Sequence, residues 1–215
     1  MATHYEPLFL GPSPEEAQVH CIFIHGRTQS PEDMRDQVIG RLKAPGVAFV
    51  LPRAASNSWY GARATEPLTP ATRMELEASL AYVRGIAEDL SRRGQAAPLL
   101  IGGFSQGACL ALEYAMKYGP WQGAMANFTG CRVGTSECDR SFADLDRIPV
   151  YLTGSDKDPW IPVDAFADAA ETLARARASL RCDVLPDRGH EVSAKEIAEL
   201  ENLLSAMAGD EGKVR

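Results

Sequence analysis

Leu99-Leu100-Ile101-Gly102-Gly103-Phe104-Ser105-Gln106-Gly107 is the stretch on which the fold turns. A short apolar run is followed at once by Gly-x-Ser-x-Gly, and Ala108 to Tyr118 continues with helical character. Strand, sharp glycine-flanked turn, helix is the context of a nucleophile elbow. There a serine is held in a strained conformation, and glycines two residues on either side let strand and helix approach without side-chain clashes. The pentapeptide alone also fits an ordinary glycine-rich turn; the strand before it and the helix after it favour Ser105 as a nucleophile.

Outward from this turn, short apolar runs alternate with longer segments of helical period, the pattern of an α/β fold with a mostly parallel central sheet and helices on both faces. The strands expected are His20 to His25, Val47 to Leu51, Pro98 to Gly102, Ala124 to Phe128, Pro149 to Thr153 and Leu180 to Leu185, with a further one around Tyr5 to Leu10. Ser30-Pro31 opens a first helix carrying Met34, Val38 and Leu42 and ended by Pro45-Gly46. Thr69-Pro70 opens a longer one with Leu76, Leu80, Val83, Ala87 and Leu90 on one face and Arg92, Arg93 and Gly94 at its end. A third, around Val163 to Arg177, places Val163, Phe166, Ala170 and Leu173 together, and a capping box from Ser193 to Glu196 starts the last, with Ile197, Leu200, Leu204 and Met207. The tail from Asp210 to Arg215 is expected to fray. Two irregular segments, 52–68 and 129–147, exceed ordinary loop length and are candidates for substrate walls.

The chain has 215 residues, 45% hydrophobic and 24% charged, with no internal repeat or linker, so one domain over 1–215 is expected. A formal charge of −7 argues against nucleic acid or an anionic membrane as the main partner. No apolar run approaches the ~18–20 residues of a membrane span, and the N-terminus lacks the layout of a secretion signal, so a cytoplasmic location is expected. The five cysteines (Cys21, Cys109, Cys131, Cys138, Cys182) have no zinc-site spacing and read as reduced, mostly buried thiols, a Cys131–Cys138 pair being the minor alternative.

A serine hydroxyl needs a base, normally a histidine oriented by a carboxylate. Of four histidines, His4 is peripheral, His20 begins a strand, and His25 lies in a loop with another use. His190, in Asp187-Arg188-Gly189-His190 after the last strand, is the candidate base. The carboxylate should follow a strand between serine and histidine; Asp156 and Asp158 both qualify, and sequence period does not choose between them. Two backbone N–H groups should receive the developing oxyanion: that of Gln106, and that of Arg27 in His25-Gly26-Arg27-Thr28 after the first core strand. His25 reads as a structural hydrogen-bonding residue rather than a second base. Trp59, Tyr60 and Trp160 are the aromatics to place around an acyl or alcohol pocket, with core packing the equal alternative for each. No metal or organic cofactor is called for.

Together, Ile24-His25-Gly26, Ser58-Trp59-Tyr60, Gly103-Phe104-Ser105-Gln106-Gly107, Asp158-Pro159-Trp160-Ile161-Pro162 and Gly189-His190 resemble, in order, the motifs of the phospholipase/carboxylesterase family of α/β-hydrolases, which includes bacterial carboxylesterases and acyl-protein thioesterases. The resemblance implies an α/β-hydrolase fold without a large lid domain. It selects Asp158, the aspartate before proline, over Asp156, and implies a small-molecule ester or thioester substrate. Family members often carry Leu-Gly after the first His-Gly; Arg27-Thr28 departs from that and brings a cationic side chain near the expected entrance, which weakens the case for a long-chain lipid or lipidated-protein substrate. A peptidase or carbon–carbon bond hydrolase on the same fold, or a non-catalytic binding protein, is the alternative reading. Either a monomer or a homodimer is compatible with the sequence.

Overall fold

Along each core strand the side chains alternate between two apolar layers, and that period of two sets the architecture. In the computed structural model, which describes residues 4–63, 65–94 and 97–209, strand β2 (Val19–Ile24) is buried at every position. Its Cys21 and Phe23 face one layer and its Ile22 and Ile24 the other. The same split runs through β3 (Val47–Arg53), β4 (Leu99–Phe104), β5 (Gly123–Phe128) and β6 (Pro149–Gly154). Such strands are apolar on both faces because helices cover both. With β1 (Tyr5–Leu10) and β7 (Ser179–Val184) they make a seven-stranded sheet of order β1-β3-β2-β4-β5-β6-β7, parallel except for β1, which runs antiparallel to β3.

On one face lie α2 (Pro70–Arg93), α3 (Gln106–Tyr118) and α4 (Val163–Arg175); on the other lie α1 (Pro31–Gln37) and α5 (Ala194–Met207). The long helix α2 buries Leu76, Leu80, Val83, Ala87 and Leu90, and the Thr69 hydroxyl caps it by accepting from Thr72 N at 3.1 Å. The Ser193–Glu196 capping box of α5 is formed reciprocally, at 2.7 and 3.2 Å. Helix α3 is buried along almost its whole length, because it lies across the middle of the sheet.

Two expectations need correction. The first helix does not run to Pro45-Gly46: at Val38 the backbone leaves helical geometry (φ −124°, ψ −68°), and a single 3₁₀ turn, Ile39–Arg41, carries the chain on. Met34 and Val38 are still buried and Leu42 still packs on that layer, so the apolar spacing survives the break. In α4, Val163 is exposed, because the first turn overhangs the core, and Ala169 packs inward beside Phe166 and Leu173. Strand ends agree with expectation to within two residues. The strand β7 is the most exposed of the parallel set, carrying Arg181 and Asp183 at the sheet edge. Among the described residues no helix is long and apolar enough to cross a membrane.

Because β2 to β7 are parallel, the segments that follow them emerge at one edge of the sheet, where α/β proteins carry their sites. The segment after β5 is pinned there by a buried ion pair: Arg132 Nε meets Glu113 Oε1 of α3 at 2.7 Å, and Val133 N donates to the same oxygen at 2.8 Å. Breaking a buried pair leaves a charge without its partner, which costs far more than the pair is worth against an apolar replacement. The substitution Arg132→Ala should therefore lower the unfolding free energy by about 3–5 kcal/mol in urea titration.

Candidate active site

The turn between β4 and α3 puts Ser105 at φ 54°, ψ −121°, a conformation that L-residues rarely adopt and that costs on the order of 1–3 kcal/mol. It is held by Ser105 N donating to Phe128 O at 2.9 Å and by Cys109 N donating to Ser105 O at 2.9 Å. Glycine is required on both sides. A Cβ on Gly103 would stand 2.6 Å from the backbone carbon of Gly107, and one on Gly107 would overlap the carbonyl of Ile24. The strain at Ser105 thus rests on close backbone contact with β2.

His190, in the segment after β7, brings Nε2 to 2.8 Å from Ser105 Oγ, and its ring leans on Phe104 at 4.8 Å between centroids. Its Nδ1 lies 2.7 Å from Asp158 Oδ2. The other oxygen of that carboxylate accepts from Trp160 N and Ile161 N, both at 2.9 Å. Burial alone would raise the Asp158 pKa, but the bonds from His190, Ile161 and Trp160 outweigh it and hold the group below the ordinary carboxylate range. An ionised carboxylate only accepts, so Nδ1 carries the proton and Nε2 is left free to accept from the Ser105 hydroxyl.

Of the two aspartates left open by chain order, only Asp158 reaches the imidazole; Asp156 instead accepts from Asp187 N at 2.8 Å, at the base of the His190 segment. The Gln106 N–H is the first of α3, with no acceptor inside the helix. Its side chain reaches across the site, accepting from Trp59 N at 3.1 Å and donating to Tyr60 O at 2.8 Å.

His25 is fully engaged. Its Nδ1 donates to Gly26 O at 2.7 Å, its Nε2 accepts from Ala54 N at 3.2 Å, and its carbonyl accepts from Trp59 Nε1 at 2.8 Å. Both ring nitrogens are used, and burial lowers its pKa, so it is a neutral structural group. Thr28 N donates to Asn57 O at 2.8 Å. The Arg27 guanidinium, expected as a cation at the entrance, is turned onto the carbonyls of Tyr60 at 3.1 Å, Gly61 at 3.0 Å and Ala62. Its donors thus face the protein, because the 60–62 segment presents three consecutive carbonyls to them.

The three aromatics part company. Trp59 and Tyr60 are each 2% exposed, and Trp160 is 61% exposed beside Asp158. Placing the Trp59 and Tyr60 side chains around an open pocket is therefore corrected to core packing: Trp59 packs on His25 at 4.8 Å between ring centroids and is tied by its indole N–H. Two residues around the candidate base had no sequence signal of their own: Phe104, an unspecified position of the pentapeptide that packs on its ring, and Arg188, an ordinary-looking loop arginine bonded to the carbonyls on either side of it. Among the described residues, no three His, Cys, Asp or Glu side chains converge as a metal ion requires.

The sequence profile of the phospholipase/carboxylesterase family matches residues 11–208. The chain belongs to that family. Membership makes it a hydrolase of the esterase class on an α/β-hydrolase fold. Among solved structures it is similar to a phospholipase/carboxylesterase from Dyadobacter fermentans, with 28% identity over 95% of this chain and 98% of that one, and a TM-score of 0.86. Likeness of fold extends to esterase PE8 (20% identity, 94% and 98% covered, TM-score 0.72) and to acyl-protein thioesterase 2 of Zea mays (18% identity, 95% and 100% covered, TM-score 0.73). No curated protein sequence matches the chain.

Two outcomes follow from this geometry. Gly107→Ala should destabilise the protein by about 1–3 kcal/mol in urea unfolding, because the new methyl forces β2 and α3 apart. The lowered His25 pKa means that, as pH falls below about 6.5, the unfolded chain takes up a proton that the folded one refuses, so stability falls with pH. In His25→Asn the slope of unfolding free energy against pH between about 6.5 and 5 should be shallower than in the wild type, whatever the offset between the two curves.

Proposed function

We propose that the protein is a serine esterase acting on small carboxylic esters or thioesters, with Ser105 as nucleophile, His190 as general base and acid, and Asp158 as the carboxylate that orients the imidazole. The observation that carries this reading is the unbroken chain Ser105 Oγ, His190 Nε2, His190 Nδ1, Asp158 Oδ2, with links of 2.8 and 2.7 Å, on a serine strained into the elbow conformation.

In this mechanism the Ser105 oxygen attacks the substrate carbonyl as its proton passes to His190 Nε2. The carbonyl oxygen takes up negative charge beside the N–H groups of Gln106 and Arg27, donors that in a comparable site are worth about 3–4 kcal/mol each. The tetrahedral intermediate collapses, the alcohol or thiol leaves with the proton from His190, and an acyl ester remains on Ser105. Water, deprotonated by the same imidazole, attacks that ester, and the carboxylic acid departs as Ser105 recovers its proton. Asp158 stays ionised throughout, favouring the imidazolium and the Nδ1–H tautomer. Trp160 is the aromatic we assign to the substrate side, since it is exposed and its backbone N–H donates to Asp158.

Ser105→Ala should lose hydrolysis of p-nitrophenyl acetate and also labelling by a fluorophosphonate, while its far-ultraviolet circular dichroism stays that of the wild type; a labelled, active Ser105→Ala would overturn the assignment. Between the aspartates, Asp158→Asn should cost on the order of 10⁴-fold in kcat, as removal of the orienting carboxylate does in a comparable triad. Asp156→Asn should cost far less, and the reverse ranking would transfer the role to Asp156.

A further inference from the structure

The segment that carries His190 has almost nothing of its own to hold it. From Pro186 to Glu191, Arg188 is the one buried residue, and a Cβ placed on Gly189 would find no atom within 4 Å. Yet His190 must keep two hydrogen bonds at once, one to Ser105 and one to Asp158.

Arg188 supplies what the segment lacks. Its side chain is 6% exposed and runs inward beneath the loop. There Nη1 donates to the carbonyls of Gly189 at 3.0 Å and Glu191 at 2.5 Å, the two peptide oxygens on either side of His190. Nη2 donates to Thr129 Oγ1 at 2.6 Å and lies 3.8 Å from Glu196 Oε1; Nε is the one guanidinium nitrogen without a protein acceptor among the described residues. The Arg188 carbonyl accepts from Ser155 Oγ at 2.5 Å. Glu196, fully buried, accepts from Thr153 Oγ1 at 2.5 Å and from Ser193 N at 2.7 Å. The anchors therefore stand at the ends of β5 and β6 and at the start of α5, all rigid parts of the sheet edge. A cation so deep is costly unless an opposite charge and acceptors surround it. An apolar residue would fill the space, but it would not grip the backbone at both flanks of the histidine.

We propose that Arg188, balanced by Glu196, is a positioning residue that fixes the 187–191 segment so that the His190 ring stands between Ser105 and Asp158. The proposal rests on reading His190 as the base, and its test has a readout independent of turnover. Arg188→Lys keeps the charge but loses the fork that spans both carbonyls. The double substitution Arg188→Met with Glu196→Gln removes both charges together, so that neither is left buried alone, and keeps an amide to cap α5.

In the folded variants kcat for a p-nitrophenyl ester should fall about tenfold to a hundredfold with KM within about twofold, as misplacement of a catalytic group requires. The low-field ¹H resonance of the His190 Nδ1 proton, identified by its loss in His190→Gln, should shift upfield or exchange faster with water. Wild-type kcat and an unchanged Nδ1 resonance in both variants would overturn the proposal. Activity retained by His190→Gln would instead overturn the reading of His190 as base, and the Nδ1 resonance in the Arg188 variants would still report whether Arg188 sets the ring.

Discussion

The backbone contact between Gly107 and the carbonyl of Ile24 leaves no room for a side chain, and much else follows from it. Because β2 and the first turn of α3 touch without an intervening side chain, the β4–α3 turn closes so sharply that Ser105 is pushed to positive φ. The same contact places the segment after β2 beside the start of α3, bringing the His25 and Gly26 backbones against Ser105 and Gly107. The Phe128 carbonyl, at the end of β5, completes the clamp by accepting from Ser105 N. The three central strands are thus drawn together at the nucleophile, and the energetic cost of its conformation is spread over the buried sheet rather than borne by a loop.

A second order of structure lies around the segments at that sheet edge, which are bonded to one another as well as packed on the core. Residues 25–29 and 54–62 are stitched by His25 to Ala54, Trp59 to His25, Thr28 to Asn57 and Arg27 to three consecutive carbonyls. Gln106 sews the same stretch to α3. On the opposite side, Asp156 and Ser155 tie the segment after β6 to that after β7. The serine therefore sits between two separately braced walls, and preorganisation of this kind is what lets a site stabilise developing charge without rearranging.

What was legible in the sequence, and what was not, divides along physical lines. Period carries burial, so Leu76 to Leu90 on α2 and the Ser193–Glu196 cap of α5 could be placed without coordinates, and glycines that forbid a side chain marked the elbow. Chain order carried the elements that bear Ser105, Asp158 and His190. It did not carry the direction of a long flexible side chain: Arg27 has the same sequence signal whether it reaches into solvent or onto the carbonyls of Tyr60 and Gly61. Trp59 likewise carries no mark that separates a packed indole from a pocket wall. Arg188 and Glu196 differ in character, one a loop residue and one a cap, and only the turn of the chain after β7 back beneath the ends of β5 and β6 makes them partners. The early end of α1 was hidden for a different reason, since a 3₁₀ turn preserves the apolar spacing that a helix would have.

The exposed strand β7 has a consequence for how the protein meets other molecules. A sheet edge is a template for any extended chain that can bond to it, including another copy of itself. Here Arg181 is already engaged with Glu199 at 2.6 Å, and Asp183 accepts from the Tyr151 hydroxyl at 2.8 Å and faces Lys195 at 3.2 Å. A docking strand would have to strip water from this row of charges or break their pairings. The polar edge acts as a guard against growth of the sheet from molecule to molecule, placed at the strand whose C-terminal end leads into the His190 segment.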